Sequence, residues 1–141
     1  MNWQSLLRLT CGLVITLAFL TQAASACPTA SSTAVYKTTG KSYALAMETN
    51  PTPIQVGKVF SARLHICDHQ ARPFTGRLKA GATMPLHKHG MNYRPSVSVL
   101  GDGKFRLDGY VFHMPGMWQF SFDLKASDGT ERLLIEHTLG P

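Results

Sequence analysis

Val59-Phe60-Ser61-Ala62-Arg63-Leu64-His65-Ile66-Cys67 and Met117-Trp118-Gln119-Phe120-Ser121-Phe122-Asp123-Leu124-Lys125 are the two stretches that decide the fold. In the first, Phe60, Ala62, Leu64 and Ile66 share one face, while Ser61, Arg63 and His65 share the other. In the second, Trp118, Phe120, Phe122 and Leu124 oppose Gln119, Ser121, Asp123 and Lys125. Side chains alternate across a strand, so a strict period of two is the pattern of a half-buried antiparallel strand.

Working outward, weaker strand patterns occupy 42–48, 76–82, 96–100, 104–112 and 131–138. Gly101-Asp102-Gly103 and Ser127-Asp128-Gly129 have hairpin chemistry. Pro51, Pro53, Pro73, Pro85, Pro95 and Pro115 all fall between the patterns, where a missing N–H costs little. No window has the period of an amphipathic helix. About seven short strands predict an all-β protein, an immunoglobulin-like antiparallel β-sandwich spanning 42–141. A small β-barrel is the alternative.

The first 26 residues read differently. Leu9 to Leu20 is apolar, Arg8 precedes it, and Ala24-Ser25-Ala26 closes a small polar segment. That is the layout of a cleaved secretory signal peptide over 1–26, and the apolar run is short for a membrane span of about 20 residues. The Ser-, Thr- and Ala-rich stretch that follows reads as a flexible lead-in over 27–41. Cleavage places Cys27 first in the mature chain. A lipoprotein signal also places Cys first, but it usually carries Leu three residues earlier, where this chain has Ala24. The expected location is therefore periplasmic or secreted, with a lipid anchor at Cys27 the less favoured form.

Processing changes the charge and the cysteine count. The full chain has 141 residues, three cysteines and a net charge of +6. Cys11 leaves with the leader, and Cys27 and Cys67 remain. A pair in an oxidising compartment suggests a disulfide, which would close a loop of about 40 residues and contribute about 3–4 kcal/mol. Two independent thiols are the alternative, and acylation of Cys27 would exclude the bond. The remaining basic residues are scattered singly, with no Lys/Arg run and no aromatic–basic pattern, so no nucleic-acid partner is expected.

Histidine and methionine are concentrated. Met84-Pro85-Leu86-His87-Lys88-His89-Gly90-Met91-Asn92-Tyr93 holds two of each, and Phe112-His113-Met114-Pro115-Gly116-Met117 holds one His and two Met. On an extended strand His87 and His89 would point the same way and could grip one ion, with His113, Met91 and Met114 completing the shell and Met84 in reserve. Thioethers select soft ions, above all Cu(I), and imidazole suits Cu and Zn. No Asp or Glu lies between Asp68 and Asp102, which disfavours Ca²⁺, Mg²⁺ and paired-carboxylate hydrolysis. Packing alone is the competing reading, because Met and His also fill gaps at strand ends.

Enzyme signatures are missing. A cupin would need a Glu where Tyr93 and Arg94 stand, and there is no G-x-S-x-G elbow, P-loop or dinucleotide fingerprint. A zinc or iron enzyme built on three His would need an open coordination position.

The run Met-Pro-x-His-x-His-Gly-Met-Asn-Tyr-x-Pro over 84–95, then Gly-x-Gly-x-Phe over 101–105 and Phe-His-Met-Pro-Gly-x-Trp over 112–118, resembles the YtkA-like domain family. It is also similar to the soluble part of FixH-type proteins. The resemblance covers residues 42–138. It implies a small exported immunoglobulin-like sandwich and, as for the similarly folded CopC-type carriers, copper handling or assembly of copper-containing oxidases. A CopC-type carrier uses a mature N-terminal His, which a chain beginning at Cys27 lacks. The expectation is a non-enzymatic copper-binding protein, zinc being the alternative ion, that passes its ion to a membrane or periplasmic protein. A metal-free assembly module whose His/Met patch contacts a protein is the rival.

Overall fold

The computed structural model describes residues 36–141, an antiparallel β-sandwich. Nine strands are described: β1 (Tyr36–Thr39), β2 (Tyr43–Asn50), β3 (Val59–Asp68), β4 (Arg77–Met84), β5 (His89–Gly90), β6 (Ser96–Gly101), β7 (Lys104–Val111), β8 (Gly116–Ala126) and β9 (Gly129–Leu139). One sheet has the order β1-β2-β3-β7-β6 and the other β5-β4-β8-β9. Taking β2 as strand A, the inner strands of the two sheets follow the A-B-E-D and C-F-G orders of immunoglobulin constant-type sandwiches. Strand β5 extends the second sheet, and β1 adds an edge to the first.

All seven expected strands are present, within a few residues of their expected ends. The count of about seven is corrected to nine by two short edge strands. β5 is two residues long. β1 lies inside the expected lead-in over 27–41, so that segment is ordered from Tyr36 onward: Tyr36–Thr39 pairs with Ala44–Met47. Tyr36 also reaches the other sheet, its hydroxyl 2.9 Å from His137 Nδ1. The expected signal peptide, its cleavage site and Cys27 lie outside the described residues.

The two deciding stretches behave as their alternation requires. Phe60, Ala62, Leu64 and Ile66 of β3 meet Trp118, Phe120, Phe122 and Leu124 of β8 in one core. Each large apolar side chain buried there contributes about 2–3 kcal/mol. Strand β7 shows why its own pattern is hard to read. Phe105 and Leu107 are buried, but so are Tyr110 and Phe112, which have the opposite parity. The register shifts between Phe60/Ser61, where Phe60 faces Tyr110 and Ser61 faces Asp108. Gly109 is thus the extra residue of a bulge, at φ +95, a conformation that favours glycine. A one-residue insertion flips every later side chain to the other face. The bulge therefore turns Phe112 into the core and leaves His113 outside.

An aromatic cluster lies under that end of the sandwich. Phe112 stacks on Trp118 with centroids 4.2 Å apart and planes 5° apart. Phe60 meets Phe112 edge-on at 5.0 Å, and Tyr110 meets Phe120 at 5.4 Å. These contacts bridge the sheets and give the loops above them a rigid base.

Candidate metal centre

The two His/Met stretches come together where β4 and β7 end and β8 begins. After Met84 the chain does not continue as a strand. Pro85–His87 forms a single 3-10 turn, favoured by proline in its first position, and Lys88 closes it in the left-handed region at φ 55. The chain then doubles back, setting His89 opposite Met84 and Gly90 opposite Thr83. A side chain at Gly90 would place its Cβ 2.7 Å from the Ala82 carbonyl oxygen, so glycine permits this close return. The expectation that His87 and His89 share one face of an extended strand is corrected: Pro85 and the Lys88 turn separate them, and only His89 lies in a strand.

The second stretch is held more tightly. Phe112 and Trp118 are fully buried, and Trp118 Nε1 donates to the Met114 carbonyl at 3.0 Å. The loop from His113 to Pro115 is thereby fixed across the top of the indole.

The result is a chain of rings. His87 and His89 centroids are 5.8 Å apart, and His89 and His113 are 5.4 Å apart. Both His89 and His113 stand almost perpendicular to Trp118, at 6.4 and 5.3 Å. His89, Met91 and His113, with Asn92, Tyr93 and Val111, line an open hollow of about 370 Å³. No carboxylate lines it.

The expected residues thus separate into groups. His89, His113 and Met91 share the hollow. His87 is exposed beside His89 and does not line it. Met114 is half-buried against the core, behind the hollow. Met84 is fully buried, and its terminal methyl lies where a side chain at Gly116 would begin, so it serves as a core anchor. Two imidazoles about 2.0–2.1 Å from one tetrahedral ion have centroids about 5 Å apart, close to the 5.4 Å between His89 and His113 and somewhat shorter than the 5.8 Å between His87 and His89. Among the described residues, no three His, Cys, Asp or Glu side chains stand close enough to hold an ion as they are. Gathering His87, His89 and His113 therefore requires rotamer changes. All three side chains are exposed and free to turn.

Trp118, Tyr93 and Val111 belong to the surroundings of the hollow but escape a reading by ligand type. Trp118 is marked in the sequence only as a core residue of β8. Its position one turn of loop after His113 is the signal that ties it to the site.

Three further histidines lie elsewhere, and one of them, His69, is exposed with Nε2 2.9 Å from the Lys41 carbonyl oxygen. His137 sits on the core side of β9 against Tyr36 and Phe112, and burial pushes its pKa below the ordinary value. Among the described residues its buried Nε2 has no hydrogen-bond partner, nor has the Tyr110 hydroxyl, whose pKa burial pushes up. His65 Nε2 is 3.7 Å from Cys67 Sγ, and burial, then the Lys104 charge, lower its pKa. Cys67 itself is buried; its expected partner Cys27 is outside the described residues.

No protein-family model matches the chain, and no curated protein does. Among solved structures, a crystal structure of a DUF4785 family protein from Legionella pneumophila is similar at a TM-score of 0.49 and 13% identity. The likeness covers 70% of this chain and 28% of that one, so this chain spans under a third of that protein's length.

Proposed function

We propose that this is an exported, non-enzymatic copper-binding protein of the carrier or oxidase-assembly type, as its resemblance to YtkA-like domains implies. The observation that carries the reading is the hollow that His89, His113 and Met91 share without any carboxylate. Two imidazoles and a thioether suit a soft or borderline ion, Cu(I) before Cu(II) or Zn²⁺, and not Ca²⁺ or Mg²⁺. His87, one ring beyond His89, and Met114, in the loop carrying His113, are the further donors. When bound, the ion would supply only its own affinity for a receiving protein. The chain's residues orient the donors: the Lys88 turn presents His89, and the Trp118 bond to the Met114 carbonyl holds the loop of His113.

In the same reading the first 26 residues are a removed leader, the protein works in the periplasm or outside the cell, and Cys27 pairs with Cys67. Copper titration by competition with a chromogenic chelator tests the site. The reading expects one ion per protein and a loss of about tenfold or more in affinity in His89→Ala/His113→Ala, since two donors are removed. Unchanged stoichiometry and affinity would remove the site. Imidazole must be neutral to bind a metal, so affinity falls on acidification.

A second reading has its own observation. Leu86 is 79% exposed and Tyr93 50% exposed, on either side of the histidines. A metal-free assembly module would use them, with adaptable Met side chains, as a protein contact. Partner binding that is indifferent to both copper and His89→Ala/His113→Ala would favour it.

A further inference from the structure

The outward face of the β4-β8-β9 layer carries a second hollow, on the far side of Met91 from the histidines. Lys79, Asp123 and Arg132 stand in one row across the three strands, with Arg77, Lys125 and Thr130 two residues further along. On the other side of that row lie Gly81, Ser121 and Leu134. Gly81 has no side chain, and a Cβ there would meet only the Ser121 hydroxyl, at 3.5 Å. The sheet surface dips at this point into a recess of about 230 Å³, walled by Lys79, Arg94 and Arg132 together with Met91 and Tyr93.

The charge in the recess is unbalanced. Arg132 clasps Asp123 with two bonds, Nε to Oδ1 at 2.6 Å and Nη2 to Oδ2 at 2.9 Å. The Arg132 bonds first, against the opposing effect of burial, and then the charges of Arg132, Lys79 and Arg94 hold the Asp123 carboxyl below its usual range. One carboxylate therefore answers three cations. Among the described residues, neither Lys79 nor Arg94 has a carboxylate within ion-pair distance. Arg77 and Lys125 in the neighbouring row deepen the positive field.

We infer that this recess docks an acidic segment of a partner protein, seated on Lys79, Arg94 and Arg132 and running over Met91 and Tyr93 toward His89 and His113. The shape favours a peptide. The cations ring a concave recess with a carboxylate in its floor, which a flat anionic membrane would meet edge-on and a protruding acidic side chain can enter. Met91 and Tyr93 wall both hollows, so an apolar residue beside the acidic ones would rest on them. The inference does not depend on copper.

The test uses the purified protein with a chelator present and a fluorescently labelled polyglutamate decapeptide as probe. Binding at about 20 mM NaCl should weaken about tenfold or more on raising salt to about 200 mM, because screening shortens the reach of exposed charges. Lys79→Glu/Arg94→Glu should also weaken it about tenfold or more. Lys37→Glu/Lys58→Glu, the same charge change away from the recess, should leave it within about twofold. If the first variant lowers the melting temperature, Lys79→Gln/Arg94→Gln replaces it, with a loss of about threefold expected. Absence of peptide binding, or equal losses in the recess and control variants, would overturn the assignment. So would phosphatidylglycerol vesicles binding through Lys79 and Arg94 when the peptide does not.

Discussion

The two His/Met stretches look alike in sequence and are built in opposite ways. Phe112–Trp118 is bolted down at both ends by aromatic side chains in the core, with an indole bond to its middle. Met84–Asn92 is bolted deep in the core only at Met84, leaves it for a proline turn and a two-residue edge strand, and returns to rest half-buried Met91 on the core's edge. The lesson is that one side of the hollow is positioned mainly by the interior and the other mainly by backbone turns. All three imidazoles can turn, but His113 turns on a loop whose backbone is fixed, whereas His87 and His89 turn on a proline turn and an edge strand.

The sharpest way to break this comparison is Trp118→Ala. It should cost about 3–5 kcal/mol in urea unfolding, because it empties the core beside Phe112 and releases the Met114 carbonyl. A loss under about 1 kcal/mol would show that the second stretch is not anchored as described. Next comes the contrast of two methionines. Met84→Ala should cost about 2–4 kcal/mol, and Met91→Ala, at the rim, about 1 kcal/mol or less. Copper affinity should show the reverse order, being lowered more by Met91→Ala than by Met84→Ala in whatever fraction stays folded.

Smaller effects test the base on which both stretches rest. Tyr110→Phe removes a buried hydroxyl that has no partner among the described residues, so it should leave stability unchanged or raise it by about 1 kcal/mol. A marked loss would mean the hydroxyl is satisfied. His137 gives the smallest signal. Its folded pKa lies below the unfolded value, so the unfolded chain takes up the proton first. Stability is then full above about pH 6.5 and falls as pH drops through that value toward the lower folded pKa. Melting temperatures between about pH 7.5 and 5 should fall less steeply in His137→Gln than in the parent, and equal slopes would assign the pH dependence elsewhere, His65 first.

Alternation made the sandwich legible, since buried and exposed faces differ along β3, β4, β8 and β9, although β2 is buried on both faces from Ala44 to Met47. The edge strands were not legible for a physical reason. Tyr36–Thr39 pairs through its backbone and sets one large apolar side chain, Tyr36, against His137 and Phe120, and His89–Gly90 is a product of the preceding turn, so neither has a hydrophobic period to read. The site was half legible. Residue types selected His89, His113 and Met91, and these three line one hollow. They set His87 on one strand face with His89, where Pro85 turns the chain instead, and they held Met84 in reserve although its parity along β4 with Leu78, Ala80 and Ala82 already points it into the core.

The perpendicular packing of His89 and His113 on Trp118 has an optical consequence. The sequence holds two tryptophans, and the other, Trp3, falls within the expected leader. Removal of that leader would leave one indole in the whole chain, buried, apolar on its Phe112 side and within 6.4 Å of both rings. Its emission should be blue-shifted at rest and should dim when a paramagnetic or heavy ion arrives. The protein would carry its own occupancy gauge, readable without a label.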